Sequence, residues 1–269
     1  MNNVKYGVTL FIIVLAAVLL YAAPLWAETS EEELARKVNN PIADLISMPF
    51  QYNQDYGIGP SDAARTTLNV QPVIPISLNK EWNLILRTIV PLIDAESTAP
   101  GVEESRGMGD ITQSFFISPK ELFKGWIIGV GPVLYYPTAS HDALGAEKWG
   151  IGPTFVVLKQ ESGFTYGLLA NHISSFAGNN GRQDISSTFL QPFLVYTTKT
   201  YTSLGLNTES TYDWKNSQWT VPINLTVSQI LKIGGQPMMF QLGYRYYAEA
   251  PTGGPDWGIR FVVSFLFPK

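Results

Sequence analysis

The chain has 269 residues, 45% of them hydrophobic and 13% aromatic but only 15% charged. It is too apolar for disorder, and where soluble domains carry about a quarter charged residues it carries Trp, Tyr, Phe, Thr, Asn and Gln, which suit half-buried strands. A formal net charge of -4 without any basic run excludes a nucleic-acid footprint. The absence of cysteine excludes disulfides and thiolate chemistry, and two histidines, His141 and His172, leave little for a metal, so neither metal nor cofactor is expected.

Lys5 precedes an apolar run over residues 8–23, which Pro24 and the small residue Ala27 close ahead of an acidic stretch. This reads as a secretory signal over residues 1–27, cleaved after Ala27. An uncleaved membrane anchor would need about 20 apolar residues, which the run does not reach. Residues 28–40 follow as a periplasmic segment. Thr29 or Ser30 can cap a short helix there, with acids in its first turn and Arg36 and Lys37 near its end, although an exported tail is expected over an ordered plug.

From residue 41 to residue 269 the chain reads as an all-β, antiparallel, up-and-down transmembrane barrel of about 12 strands, of outer-membrane type. Segments of roughly ten residues alternate apolar with polar or small side chains, putting every second residue into lipid. They lie near residues 45–56, 65–77, 82–93, 109–118, 126–137, 149–159, 164–176, 185–197, 201–213, 218–231, 238–249 and 256–267.

Within the second segment Thr66, Leu68, Val70, Pro72, Ile74 and Ile76 oppose Arg65, Thr67, Asn69, Gln71 and Ser77. Leu204 and Leu206 oppose Asn207 and Glu209. Trp219, Val221, Ile223, Leu225 and Val227 oppose Thr220, Pro222, Asn224, Thr226 and Ser228. Phe240, Leu242, Tyr244 and Tyr246 oppose Gln241, Gly243, Arg245 and Glu249. The last segment alternates most cleanly, with Trp257, Ile259, Phe261, Val263, Phe265 and Phe267 on one face and Gly258, Arg260, Val262 and Ser264 on the other. Residues 186–196 are mixed on both faces.

An even strand count puts both termini in the periplasm, and short connections at that end alternate with longer ones outside, over residues 94–108, 139–148, 178–183 and 251–255. Trp82, Trp126, Trp149, Trp214, Trp219, Trp257 and Tyr136 fall at strand ends, where a lipid interface wants amphipathic rings. A soluble β-sandwich also carries aromatics at strand ends but accounts for neither the export signal nor so sustained an alternation. Pro72, Pro75, Pro91, Pro132, Pro153, Pro192 and Pro222 lie inside strands, and with no edge available they call for bulges or bends.

The strings Asn40-Pro41-Ile42-Ala43-Asp44-Leu45-Ile46-Ser47-Met48-Pro49-Phe50, Leu169-Ala170-Asn171-His172, Asn207-Thr208-Glu209-Ser210 and Gly258-Ile259-Arg260-Phe261 together resemble the family labelled MetA-pathway of phenol degradation. These are predicted outer-membrane barrels of proteobacteria, some of which carry the label neuromedin U. The resemblance spans the mature chain through overall pattern and short strings. It implies a barrel that moves hydrophobic or aromatic compounds, and it brings neither a catalytic motif nor site residues. Outer-membrane barrels commonly end on an aromatic residue read by the assembly machinery, whereas Phe267 here is followed by Pro268 and Lys269.

The expected function is therefore passive transport of a small hydrophobic solute across the bacterial outer membrane, with membrane lipid and the assembly machinery as partners. Its working residues are those of lumen parity: Asn69, Gln71, Arg87, Asp110, Asn207, Glu209, Gln241, Arg245, Glu249 and Arg260. Both charge signs occur among them. A paired network that only satisfies buried charge, a structural barrel without transport, fits the same residues.

The rival from another class is a lipid esterase. His172 and Ser174 stand two apart on one strand and share the face of Tyr166, Leu168, Ala170 and Phe176, so a histidine-activated serine would meet an acyl ester in the membrane. Only Asn179 or Asn171 is on offer as a third group, which makes a histidine hydrogen-bonded near the interface the simpler reading. Gly129-x-Gly131 and Gly150-x-Gly152 lack the Lys-Ser/Thr and helix of a phosphate loop. Asn224-Leu225-Thr226 lies within a strand, and His141 with Asp142 is two ligands at most.

Overall fold

The computed structural model describes residues 31–268, so the expected signal segment and its cleavage site lie outside the described residues. Helix α1 (Glu31–Val38) precedes strands β1 (Ile46–Ile58), β2 (Ala63–Val70), β3 (Val73–Ser77), β4 (Trp82–Ala95), β5 (Ser105–Met108), β6 (Ile111–Pro119), β7 (Trp126–Tyr136) and β8 (Lys148–Glu161). Then come β9 (Phe164–Gly178), β10 (Ser186–Thr197), β11 (Thr202–Thr208), β12 (Ser210–Asp213), β13 (Gln218–Ile233), β14 (Gln236–Glu249) and β15 (Trp257–Phe267). All pairing is antiparallel between successive spans, and β15 returns to β1 from Ile46–Phe267 to Tyr56–Trp257. Three spans are interrupted, β2 passing to β3, β5 to β6 and β11 to β12, so the fifteen strands make the twelve spans of a closed barrel. Closure leaves no open edge, the condition for a sheet surrounded by hydrocarbon.

The two faces differ as the alternation requires. Leu225, Leu242 and Phe261 are exposed at 57%, 60% and 41%, whereas their chain neighbours Asn224, Arg260 and Val262 are buried. Aromatics ring both ends: Trp82 and Trp126 lie at the end where β1 begins and β15 finishes. Tyr136 beside Trp149, Tyr212 between Trp214 and Trp219, and Tyr56 stacked on Trp257 at 4.6 Å lie at the other.

Pro72 and Pro222 sit at irregularities as expected, whereas Pro75, Pro91, Pro132 and Pro192 keep an unbroken register opposite Ile85, Asn69, Pro153 and Leu168. At the β2–β3 break the Gln71 N–H donates to the Pro49 carbonyl and the Thr88 N–H to that of Pro72, at 2.9 and 3.1 Å. Pro222 sits at a register shift opposite Tyr247. The backbone stays paired across both irregularities.

The N-terminal segment, expected as a tail, lies inside the barrel. Leu34, Ala35 and Val38 share one side of α1 and pack with Ala43 and Leu45 against Ile230, Met239, Val262 and Leu266 of β13, β14 and β15. Ile42 crosses to a cluster of Ile85, Phe116, Val156, Leu158 and Leu169 on the other wall. An eight-residue helix is marginal by itself, and this burial holds it. Residues 41–45 thus belong to the insert, and the wall begins at Ile46.

Candidate functional site

Midway along the lumen the inward side chains of β1, β14 and β15 meet the break between β11 and β12. Glu209 occupies that break and receives two parallel hydrogen bonds from Arg260, Nη1 to Oε1 at 2.9 Å and Nη2 to Oε2 at 2.7 Å. The remaining Arg260 nitrogen, Nε, donates to Asn53 Oδ1 at 2.7 Å, and Arg245 Nη1 donates to the same oxygen at 2.9 Å. Arg245 also donates through Nη2 to the Tyr247 hydroxyl at 2.9 Å and lies 3.7 Å from Glu209 Oε2. Its Nε is 3.2 Å from Asp55 Oδ1, an ion pair by distance in which neither atom is aligned for a hydrogen bond.

Local sequence makes room for this belt. Asp55 stands opposite Gly258, where an added Cβ would come within 2.4 Å of its carboxylate, and Arg260 stands opposite Gly243. Small residues on one strand thus admit large charged ones on the next. Charges held so far from water are tolerable because each is paired or hydrogen-bonded, and the forked guanidinium matches a carboxylate.

Two further pairs extend the belt toward the termini. Arg87 Nη2 donates to Gln71 Oε1 at 3.1 Å, and Asn224 Nδ2 donates to Asn207 Oδ1 at 2.9 Å. Below them lies a cavity of about 220 Å³, bounded by residues 37–41, Ala43 and Leu45 of the insert. Asn39 anchors the insert there, its amide nitrogen lying 3.2 Å from both Thr197 Oγ1 and Ser203 Oγ. A space of about 640 Å³ separates α1 from the β8–β9 and β10–β11 turns, and one of about 970 Å³ opens at the opposite mouth. The lumen is therefore divided: one chamber lies between insert and belt, a second between α1 and the turns at one end, and a third at the opposite mouth.

No family model and no curated protein matches the sequence. Among solved structures the chain is similar to the COG4313 outer membrane channel of Pseudomonas putida F1, at 16% identity and a TM-score of 0.63 over 83% of this chain and 96% of that one. It also aligns with the KdgM porin, at 12% identity and TM-score 0.44 over 83% of this chain and 99% of that one. A third alignment is with the β domain of the Bordetella autotransporter BrkA, at 10% and 0.47 over 84% and 100%. The fold is an outer-membrane β-barrel.

Of the residues singled out from the sequence, Arg87, Gln71, Asn207, Glu209, Arg245 and Arg260 come together in and beside this belt. Asn69 and Gln241 are half-buried, opposite Gln51 and Ser228, and lie apart from it. Asp110 has a different task. It accepts hydrogen bonds from the Tyr135 hydroxyl and from the Ala139 and Ala146 N–H groups, at 2.8, 2.9 and 2.6 Å, and so ties down the loop over residues 137–147. Glu249 is exposed opposite Val221, because the register shift at Pro222 moves it off the face of Arg245.

Asn53, Asp55 and Tyr247 complete the belt and were not singled out. Asn53 and Asp55 alternate with Tyr52, Gln54 and Tyr56 on β1, and the spacing of two from Arg245 to Tyr247 was a usable signal.

The esterase pair is real as geometry. His172 Nε2 lies 3.1 Å from Ser174 Oγ, and His172 Nδ1 lies 2.8 Å from Thr188 Oγ1, which also accepts the Trp214 indole N–H at 2.8 Å. The third group is thus a threonine hydroxyl, neither Asn171 nor Asn179, and Ser174 stands opposite both Ile151 and Ser186 in the sheet. Its backbone is committed to the ladder. Among the described residues no cluster of three His, Asp or Glu could hold a metal ion.

Proposed function

We propose that this protein is a passive conduit for small solutes in the bacterial outer membrane, exported through the signal segment that ends at Ala27. The observation carrying this reading is the buried belt of Arg245, Arg260, Glu209 and Asp55 inside a closed barrel. Charge that only satisfied itself would be cheaper to replace with apolar packing, whereas charge beside chambers sets which solutes pass. The resemblance to the MetA-pathway family carries the solute class, small hydrophobic or aromatic compounds, into the same proposal. Membrane lipid and the outer-membrane assembly machinery are its partners in that setting.

The test is conductance of the purified protein in planar bilayers under a salt gradient. A conduit conducts, and its reversal potential shifts in Glu209→Gln. Silence in bilayers together with no solute uptake into liposomes would leave a structural barrel.

A second reading has one observation in its favour, the 3.1 Å contact between His172 and Ser174 on the lipid-facing side. It ranks below the conduit because the histidine is oriented by a hydroxyl instead of a carboxylate, which stabilises an imidazolium less. Ester hydrolysis in detergent that Ser174→Ala abolishes would reverse the order.

A further inference from the structure

The chamber of about 220 Å³ between insert and belt has an unbalanced wall. Arg87 and Lys37 line it, and no Asp or Glu does. Lys37 is already paired with Glu33 at 2.7 Å, one helical turn away. Arg87 is not so provided for: among the described residues its hydrogen bond is the single one to Gln71, a neutral acceptor, and it feels Glu209 only as a charge already held by Arg260. Three arginines, Arg87, Arg245 and Arg260, thus face two carboxylates, Asp55 and Glu209, in the middle of the barrel. Arg87 is half-buried, and its nitrogens not bonded to Gln71 are open to the chamber, where an anion would pair with them.

The rest of the wall mixes apolar and amide side chains, with Gln191 two residues from Phe193 on β10 and Asn207 opposite Phe193 on β11. Val73, Phe193, Val195 and Met239 supply the apolar surface, and Gln191 and Asn207 the polar one. Val73 stands directly opposite Arg87, so a ligand with its anionic end on the guanidinium would lay its body against Val73. An apolar cavity of roughly 150 Å³ is enough to hold a benzene molecule, so this chamber has room for one ring and a carboxylate.

We infer that the chamber is a binding site for a small organic monocarboxylate with an apolar body, its carboxylate paired to Arg87. The inference deepens the conduit reading by naming the charge and size of what is carried, and it rests on that reading for its meaning. It differs from a site for neutral hydrophobic solutes, which have no use for the arginine.

Isothermal titration of the full mature protein in a non-ionic detergent tests it, with benzoate as probe and benzamide, acetate and inorganic phosphate as comparisons. Benzoate is expected to bind saturably, one per chain. Benzamide lacks the charge, acetate and phosphate lack the ring, and each is expected at least about tenfold weaker, the value of one charged hydrogen bond or one buried ring face. Arg87→Gln should lose about tenfold or more in benzoate affinity. Val73→Phe keeps every charge and fills the chamber, so it should lose binding as well, and heat-modifiable gel migration verifies that each variant is folded. No benzoate binding, equal binding of benzamide, or benzoate affinity unchanged in the folded variants would overturn the assignment. A protein that conducts in bilayers but fails these titrations loses the ligand and keeps the conduit. One that binds benzoate but never conducts loses the conduit and keeps the site.

Discussion

Asn53 and Arg260 face each other across β1 and β15, the two strands that close the barrel, with Asn53 Oδ1 accepting from Arg260 Nε at 2.7 Å. The charged belt is therefore also a clasp on the seam between the first and last strands. Asn53→Ala strips one acceptor from two guanidinium groups at once, since Arg245 shares it. A loss of about 2 kcal/mol is expected in urea unfolding followed by gel mobility, the cost of leaving buried charged donors unmatched.

Glu209 is the anion on which Arg260 and Arg245 converge. Glu209→Gln keeps the size and removes the charge, leaving Arg87, Arg245 and Arg260 in and beside the belt with Asp55 as its one carboxylate. Two outcomes follow together: stability falls by about 3 kcal/mol, as when one partner of a buried pair is removed, and bilayer reversal potentials shift toward anion preference. A stability loss with unchanged selectivity would confine Glu209 to a structural role.

The N-terminal insert makes a separate prediction. Leu34 and Ala35 are 2% and 1% exposed within the lumen, so a variant lacking residues 28–38 opens the end that they fill. Single-channel conductance should rise, and Leu34→Asp, which drives the helix out without shortening the chain, should reproduce the rise. Unchanged conductance in both variants would mean that the limiting constriction is the belt.

How much of this could be read from the sequence differs from strand to strand. On β15 the buried set Gly258, Arg260, Val262 and Ser264 is the one that alternation assigns, because lipid and lumen ask for opposite side chains there. On β10 both faces are apolar: Phe189 and Phe193 point inward to the cluster around Ile42, while Leu194 and Tyr196 face lipid. An insert folded back into the lumen removes the contrast that parity depends on, and its own signal is only Leu34, Ala35 and Val38 among charged residues. Glu249 failed for a third reason, a register shift at Pro222 that reverses faces within one strand.

Outside the membrane, Asp184 in the loop over residues 179–185 accepts from buried Lys148 Nζ at 2.8 Å and from Ser175 Oγ at 3.1 Å. The Lys148 hydrogen bond, then that of Ser175, holds its carboxyl below the ordinary aspartate value of 3.8. For a depressed carboxylate the contribution to loop order is complete above the ordinary value and is lost only as pH falls through the lower, folded one. Hydrogen exchange in this loop, corrected for intrinsic rate, should stay flat from neutral pH down to about 4 and rise below that. In Asp184→Asn it should be fast throughout, and Lys148, left buried without its anion, makes the loop looser than protonation alone would.

Thr188 Oγ1 serves both the His172 ring and the Trp214 indole, which joins β9, β10 and the turn after β12 by side chains at the outer end of the barrel. Trp214→Phe removes one donor and leaves His172 held. Thr188→Val removes the hydroxyl partner of both, so His172 keeps only Ser174. If the cluster is an interfacial brace, Thr188→Val should lower unfolding stability by about 1 kcal/mol, with Trp214→Phe smaller, and Ser174→Ala should leave it nearly unchanged because serine is the terminal member. If the cluster is catalytic the order inverts in an ester-hydrolysis assay: Ser174→Ala removes all turnover while Thr188→Val only reduces it. The rank of Ser174 and Thr188, measured once for stability and once for hydrolysis, therefore separates a brace from an enzyme, since a nucleophile is indispensable to chemistry and a hydrogen-bonding hub to structure.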